Sequence, residues 1–291
     1  MQQFYLTEIK TNDHLLHQGV FYRGKKTGKC AFLWVHGFMG KFYGNLKLYQ
    51  EFTRVCDQYG FGFAAFNNRG HDIVTGIKKI GRTKTKYLTV GASSEYFTDC
   101  VYDIAAGIRF LRTQKYEKII LVGHSTGANK VCYYAAEKKD PRVLGVVLAG
   151  PVSDRLVNPF CNKLAKKLGF MRKLVQRGRG DKLIAPYSNF PVMTPKRFLS
   201  LYTPGSVEDT FDYGEKKPKL TCFSKIKKPL LVLLGGEDEY LDRPAEKVKR
   251  IFEAHAHSKY YQFRIIPKTN HGFQGKEREF MKAIMNWANE N

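Results

Sequence analysis

A serine between two glycines is the first feature of this sequence that could do chemistry. The segment Gly123–Gly127 reads Gly-His-Ser-Thr-Gly. The mostly apolar run Lys118–Val122 leads into it, and Gly127–Lys138 behind it has the character of a helix. At such a strand-to-helix turn the serine backbone is strained, and glycines two residues away on either side leave room for it. The pattern predicts Ser125 as a nucleophile, with an accidental glycine-rich turn as the alternative.

A serine nucleophile needs a base to take its proton, and the base needs a carboxylate to orient it. His271 follows the last predicted strand and precedes the last predicted helix, so its loop could bring an imidazole over the sheet. Asp238 follows the predicted strand Leu230–Leu234 through a glycine turn and is the predicted acid. Three other carboxylates remain open as alternatives, namely Glu237, Glu239 and Asp154.

Acyl transfer also needs two backbone N–H groups that bind the oxyanion. The N–H of Thr126 comes directly after the serine, at the start of a predicted helix whose unpaired N–H groups and dipole favour negative charge. The second predicted donor is the N–H of Phe38, in the loop His36–Gly40 behind the first central strand. An ordinary strand-to-helix turn is the alternative interpretation of that loop. Because side chains and backbone would supply all the groups, no metal or cofactor is expected.

Apolar runs alternate with segments of helical spacing along most of the chain. The predicted strands are Phe4–Ile9, Val20–Arg23, Cys30–Val35, Phe61–Phe66, Lys118–Val122, Leu144–Ala149, Leu230–Leu234 and Tyr260–Ile266. The predicted helices are Leu46–Tyr59, Ser94–Thr113, Gly127–Lys138, Arg243–Ala254 and Glu277–Ala288. This alternation predicts an α/β fold with a doubly wound, mainly parallel sheet.

The alternation stops between Pro151 and about Lys228, where prolines, glycines and basic residues recur. A stretch of that length inside a compact domain is usually functional or has its own structure. We therefore expect residues 1–150 and 229–291 to form the core and residues 151–228 to form an inserted cap or lid between central strands. Its aromatic residues could line a substrate pocket or form the small core of the cap.

The chain of 291 residues has a formal net charge of +23, which attracts polyanions and anionic surfaces. It contains no recognisable nucleic-acid-binding module, so nucleic acid is not an expected partner and a basic solvated surface is the main interpretation. Steering of anionic substrates by the basic stretches Arg155–Lys182 and Gly76–Val90 is the alternative. The sequence does not define the oligomeric state.

The six cysteines are scattered and contain no C-x-x-C pair, which is typical of free thiols in a reducing compartment. The segment Met1–Lys10 lacks the pattern of a secretory signal, and no apolar stretch approaches the roughly 20 residues of a membrane helix. We expect a cytoplasmic protein without an integral membrane segment.

Together these residues resemble serine esterases of the α/β-hydrolase superfamily, over nearly the whole chain. His36–Gly40 is similar to the oxyanion loop of bacterial carboxylesterases and feruloyl esterases, and Asn68–His71 is similar to the Arg-Gly-His turn of the same enzymes. Gly123–Gly127 with the later Pro151–Asp154 resembles fungal siderophore esterases more weakly. The inserted region departs from the family pattern, which leaves the substrate undefined.

The resemblance implies a triad in the chain order serine, acid, histidine, carried by Ser125, Asp238 and His271, with Phe38 and Thr126 as oxyanion donors. It implies hydrolysis of carboxylic esters through an acyl-enzyme intermediate, with small or aromatic soluble esters as the expected substrates. Two alternatives remain. One is a lipase, lysophospholipase or thioesterase on the same scaffold, and the other is a non-catalytic protein that binds polyanions.

Overall fold

A mixed, mainly parallel sheet forms the centre of the molecule. The computed structural model describes residues 3–156, 164–185 and 192–290. Its ten strands within those ranges are β1 (Tyr5–Lys10), β2 (Leu15–Arg23), β3 (Cys30–Val35), β4 (Gly62–Phe66), β5 (Thr75–Ile80), β6 (Thr85–Val90), β7 (Lys118–His124), β8 (Val143–Ala149), β9 (Leu230–Gly235) and β10 (Tyr261–Ile266). They lie in the order β10-β9-β8-β7-β3-β4-β2-β5-β6, with β1 paired to β2.

The strands from β10 to β4 are parallel, and the pairs that involve β1, β2, β5 and β6 are antiparallel. The helices of the described residues are α1 (Leu46–Tyr59), α2 (Cys100–Thr113), α3 (Thr126–Lys138), α4 (Leu164–Gln176), α5 (Pro195–Tyr202), α6 (Thr221–Lys225), α7 (Ala245–His255) and α8 (Glu277–Asn289). The predicted doubly wound sheet is confirmed: α1 and α8 cover one face, and α2, α3 and α7 cover the other. The central strands β3, β4 and β9 are buried almost throughout, which explains their continuous apolar sequences.

Two features differ from the sequence-based expectation. The helix predicted from Ser94 begins at Cys100, after a short 3₁₀ turn at Phe97–Asp99, because Glu95 turns inward to a buried ion pair. The basic stretch from Gly76 to Val90 forms most of an antiparallel hairpin, β5 and β6. The sequence analysis did not predict this hairpin, because it relied on strands that alternate with helices. Five cysteines among the described residues are free thiols, as predicted, and Cys161 lies outside those residues.

The stretch that the sequence predicts to be an inserted cap, residues 151–228, is called the inserted segment here, and its described residues contribute to two apolar clusters. Helices α4 and α5 form a separate cluster, which includes Met171, Phe198 and Leu201, with Phe38 packed against it. The part from Phe211 onward packs into the main core. The predicted aromatics Phe160, Tyr187 and Phe190 lie outside the described residues. Among the described residues, no helix is long and apolar enough to cross a membrane.

A buried network of charges joins the inserted segment to the core. The Arg197 guanidinium on α5 donates to Glu95 at 2.9 Å and also bonds to Glu208, and all three side chains are fully buried. Lys130 on α3 donates to the other oxygen of Glu95 at 2.7 Å. Two acids and two bases therefore balance in the interior, where an unpaired charge would be very unfavourable.

Replacing Arg197 with Met should lower the free energy of unfolding by about 3–5 kcal/mol, since Glu95 and Glu208 would lose their shared partner in the interior. Urea unfolding followed by circular dichroism measures the loss. The matched control is Lys196→Met, because Lys196 bonds the exposed Asp181 at the surface and should matter little. Equal stability of the two variants would contradict the role given to the network.

Candidate active site

Ser125 lies in a strained turn between β7 and α3. Its backbone has φ 57° and ψ −130°, a conformation that side-chain-bearing residues rarely adopt. The turn is held by the N–H of Ser125, which donates to the carbonyl of Ala149 on β8 at 2.9 Å, and by its own carbonyl, which accepts from Ala128. The structure therefore gives Ser125 the strained position that the sequence predicts for it.

Glycines make this turn possible. A Cβ on Gly123 would collide with the carbonyl of Gly127, and a Cβ on Gly127 would collide with the carbonyl of Val35. A Cβ on Gly37 would lie 2.7 Å from the Ser125 Cβ and 3.3 Å from its Oγ. Only glycine at these positions lets the backbone approach the serine so closely.

His271 and Asp238 form a hydrogen-bonded pair beside the serine turn. The Asp238 Oδ2 lies 2.8 Å from the His271 Nδ1, and the carboxylate is fully buried. The second Asp238 oxygen accepts from the N–H of Tyr240 at 3.0 Å. With Nδ1–H donating to the carboxylate, Nε2 carries the lone pair, and this atom is buried without a hydrogen-bond partner among the described residues. Such an imidazole is oriented to accept a proton.

Three neighbours hold this histidine in place, and the sequence analysis had considered only one of them, Glu239, for the site. His124 stacks on Trp34 at a centroid distance of 5.8 Å and donates from Nε2 to the carbonyl of His271 at 2.9 Å. Burial and the adjacent His271 lower the pKa of His124 to about 4, so it stays neutral. Glu239, an alternative acid in the sequence, accepts from the His271 backbone N–H instead. Tyr240 packs its ring edge-on against the imidazole at 4.7 Å.

The two predicted oxyanion donors lie in the same pocket. Neither the N–H of Phe38 nor that of Thr126 donates a hydrogen bond within the part of the chain that the structure describes. The Phe38 loop is fixed by His36, whose Nε2 accepts from the N–H of Asn68 at 3.1 Å while Nδ1–H donates to the Gly37 carbonyl. Burial lowers the pKa of His36 to about 3 and keeps it neutral. The loop therefore presents an N–H group without an internal partner.

A cavity of about 500 Å³ joins these groups. Ser125, Thr126, His271 and Phe38 all lie on its wall, so the residues predicted from distant parts of the chain meet at one place, with Asp238 behind His271. Ser125 Oγ makes no hydrogen bond with His271 Nε2 in this structure. Catalytic hydrogen bonds are often long before substrate binds. The remainder of the wall is mostly apolar and includes Met39, Val152, Leu201, Tyr202 and Tyr240.

Asp154 also lies on the cavity wall, although the sequence offered it only as an alternative to Asp238. It does not contact His271 through a hydrogen bond, so the imidazole is paired with Asp238 rather than with Asp154. Burial and the nearby Glu208 raise the pKa of Asp154 to about 8. Sequence analysis had no signal for this, because Glu208 lies far along the chain.

Replacing Ser125 with Gly should give a protein about 1 kcal/mol more stable than Ser125→Ala, because glycine adopts a positive φ without strain. Thermal unfolding of the two variants measures the difference. At Ser200, inside helix α5, the order should reverse, since glycine destabilises a helix interior relative to alanine. The same order at both positions would argue against a strained backbone at Ser125.

Comparison with solved structures identifies the fold. The esterase Pf2001 from Pyrococcus furiosus is 17% identical, with a TM-score of 0.60 over 99% of this chain and 91% of that chain. Est1E from Butyrivibrio proteoclasticus, solved with ferulic acid, is 16% identical, with a TM-score of 0.63 over 98% of both chains. The siderophore hydrolase EstB from Aspergillus fumigatus is 16% identical, with a TM-score of 0.69 over 100% of this chain and 98% of that chain.

These similarities confirm the α/β-hydrolase fold that the sequence resembles, with esterases as its structural neighbours. No curated protein matches the sequence significantly. A family model described as a protein of unknown function, DUF1749, matches residues 81–288, which is more than half of the chain. With an esterase-like α/β-hydrolase fold and this match, the chain belongs to the DUF1749 family.

Proposed function

We propose that this chain is a serine hydrolase that cleaves carboxylic esters through an acyl-enzyme intermediate. The His271 imidazole carries the proposal: Asp238 holds its Nδ1, and its Nε2 is left without a partner beside the cavity that Ser125 lines. An oriented base next to a serine in a strained turn is the arrangement that activates a hydroxyl nucleophile.

In the proposed reaction, Ser125 Oγ attacks the ester carbonyl while His271 Nε2 takes its proton. The carbonyl oxygen becomes an oxyanion that accepts from the N–H groups of Phe38 and Thr126. His271 then protonates the leaving alcohol, and the acyl group remains on Ser125. Water then attacks the acyl group while His271 takes one of its protons, and His271 returns that proton to Ser125 Oγ as the bond to the serine breaks and the acid leaves. Asp238 keeps the tautomer of the imidazole and stabilises its charged form.

The cavity supports a small or aromatic ester as the substrate. Its volume of about 500 Å³ suits a small organic ligand, and its aromatic and aliphatic wall suits an aryl or short acyl group. Among the structural neighbours, Est1E binds ferulic acid and another protein is a carboxyl esterase from Bacillus coagulans. The proposal extends the likeness from the fold to the chemistry of this site.

A panel of p-nitrophenyl esters with increasing acyl length, together with aryl esters and thioesters, tests the proposal. We expect turnover of short-chain or aryl esters, and a loss of kcat of about 10³-fold or more in Ser125→Ala and in His271→Ala. Asp238→Asn should lower kcat by about 10³–10⁴-fold, because the wrong imidazole tautomer is favoured. Circular dichroism should show each variant folded at the assay temperature.

Glu237→Gln is the matched control, because Glu237 adjoins Asp238 but is exposed to solvent. It should keep the wild-type rate. Preference for long acyl chains in emulsion would favour a lipase, and preference for thioesters would favour a thioesterase. Absence of turnover across the panel by folded protein would contradict the proposal and leave a binding role.

A further inference from the structure

The carboxyl group of Asp154 lies on the wall of the cavity but takes no part in the proposed triad. It follows the end of β8, the strand beside the one that leads to Ser125. Both residues lie on the same cavity wall. No described residue donates a hydrogen bond to the Asp154 side chain. The side chain is only partly buried, so within the described residues the cavity is the one place from which a donor could reach it.

The charges around Asp154 do not supply its partner. Arg197 is held by Glu95 and Glu208, and Lys130 by Glu95, so these four groups already balance. An ionised Asp154 would add an uncompensated negative charge beside them.

The other cations near the cavity are also held by acids. Arg155 pairs with Asp209 at 3.0 Å and with Glu215 at 2.7 Å, behind the wall. Lys41, the single Lys or Arg on the described cavity wall, pairs with Asp72 at 2.6 Å. Each of these cations therefore already has an acid as its partner.

A second orphaned acceptor lies next to Asp154. Glu208 Oε2 accepts from Arg197 and from Ser200 Oγ, whereas Glu208 Oε1 is buried without a hydrogen-bond partner among the described residues. Burial and the nearby Glu208 raise the pKa of Asp154 to about 8, with smaller contributions from Asp209 and Glu95, while Arg197 lowers it. In the free protein at pH 7 the carboxyl group is therefore mostly protonated and neutral. This corner of the cavity has an excess of acceptors and too few donors.

We propose that Asp154 binds a positively charged amino group of the substrate, which makes the enzyme selective for esters that carry an ammonium group. This inference rests on the proposed esterase function and names its substrate class. An ammonium supplies the charge and the N–H donors that the protein does not provide at this place. The positive net charge of the chain does not predict that the cavity selects anionic substrates, because Lys41, the one Lys or Arg on the described cavity wall, is already paired with Asp72.

Two matched pairs of esters test the proposal, each with and without a terminal amine. The first pair, p-nitrophenyl aminohexanoate and p-nitrophenyl heptanoate, places the amine on the acyl side. The second pair, aminohexyl butyrate and heptyl butyrate, places it on the alcohol side. In one of these pairs we expect the amine to raise kcat/KM about tenfold to a hundredfold through a lower KM, and Asp154→Asn should reduce the ratio of kcat/KM between the amine and neutral esters to about one.

Asp181→Asn is the control variant, because Asp181 is an exposed acid of the inserted segment that bonds Lys196 and Tyr96 away from the cavity wall. It should keep the amine preference of the wild type. Equal kcat/KM for the amine and neutral esters in both pairs, with turnover still dependent on Ser125, would overturn the inference and leave the proposed esterase function intact.

Binding to Ser125→Ala separates the inference from catalysis altogether. Calorimetry should show hexylammonium binding more tightly than hexanol, with about one proton released per ligand at pH 7, because the cation drives the proton from a carboxyl whose free pKa is about 8. A role confined to packing would release no proton. If no ester were hydrolysed but this binding were seen, the esterase proposal alone would fail. Without preferential ammonium binding, the inference fails whatever the activity.

Discussion

The backbone strain at Ser125 is the constraint on which the site depends. A positive φ at a serine persists only where its surroundings leave no other arrangement. Here β7 is fixed between two parallel neighbours, α3 starts immediately behind the serine, and glycines at 37, 123 and 127 let three backbone segments meet around it. The sheet is buried on both faces, so the energy of core packing offsets the strain of one residue.

The same sheet gathers the other groups of the site. Asp238 and His271 follow β9 and β10, whose carboxyl ends lie on the same edge as that of β7 because all three strands are parallel. Asp154 follows β8, between them. Helix α5 lies beside this edge, since Leu201 and Tyr202 line the same cavity as Ser125, and it is joined to the core by the buried Arg197 and by the packing of Phe38. Position along the sheet edge, and not nearness in sequence, determines which side chains can act together.

Much of this arrangement is predictable from sequence because its signals are local. Continuous apolar runs mark β3 and β9, helical spacing marks α1, and the glycine-bounded serine marks the turn before α3. The predicted start of α2 was wrong. Serine is a common N-cap residue, so Ser94 indicated a helix start, but the neighbouring Glu95 forms buried ion pairs with Lys130 and Arg197, which lie far along the chain. The charge environment of Asp154 was equally beyond prediction, since it arises from the inserted segment, which has no readable periodicity. Pairs of polar side chains that lie far apart along the chain have no local periodicity, so a single sequence does not predict them.

The central claim is that His271 activates Ser125 as a nucleophile. Labelling with a fluorophosphonate probe, followed by mass spectrometry of the peptides, tests it directly, because the probe reacts with an activated serine and needs no knowledge of the substrate. The account predicts covalent modification at Ser125, and a rate of labelling lowered by about 10²–10⁴-fold in His271→Ala. A folded protein that leaves Ser125 unlabelled, or that labels equally fast without the imidazole, would contradict it.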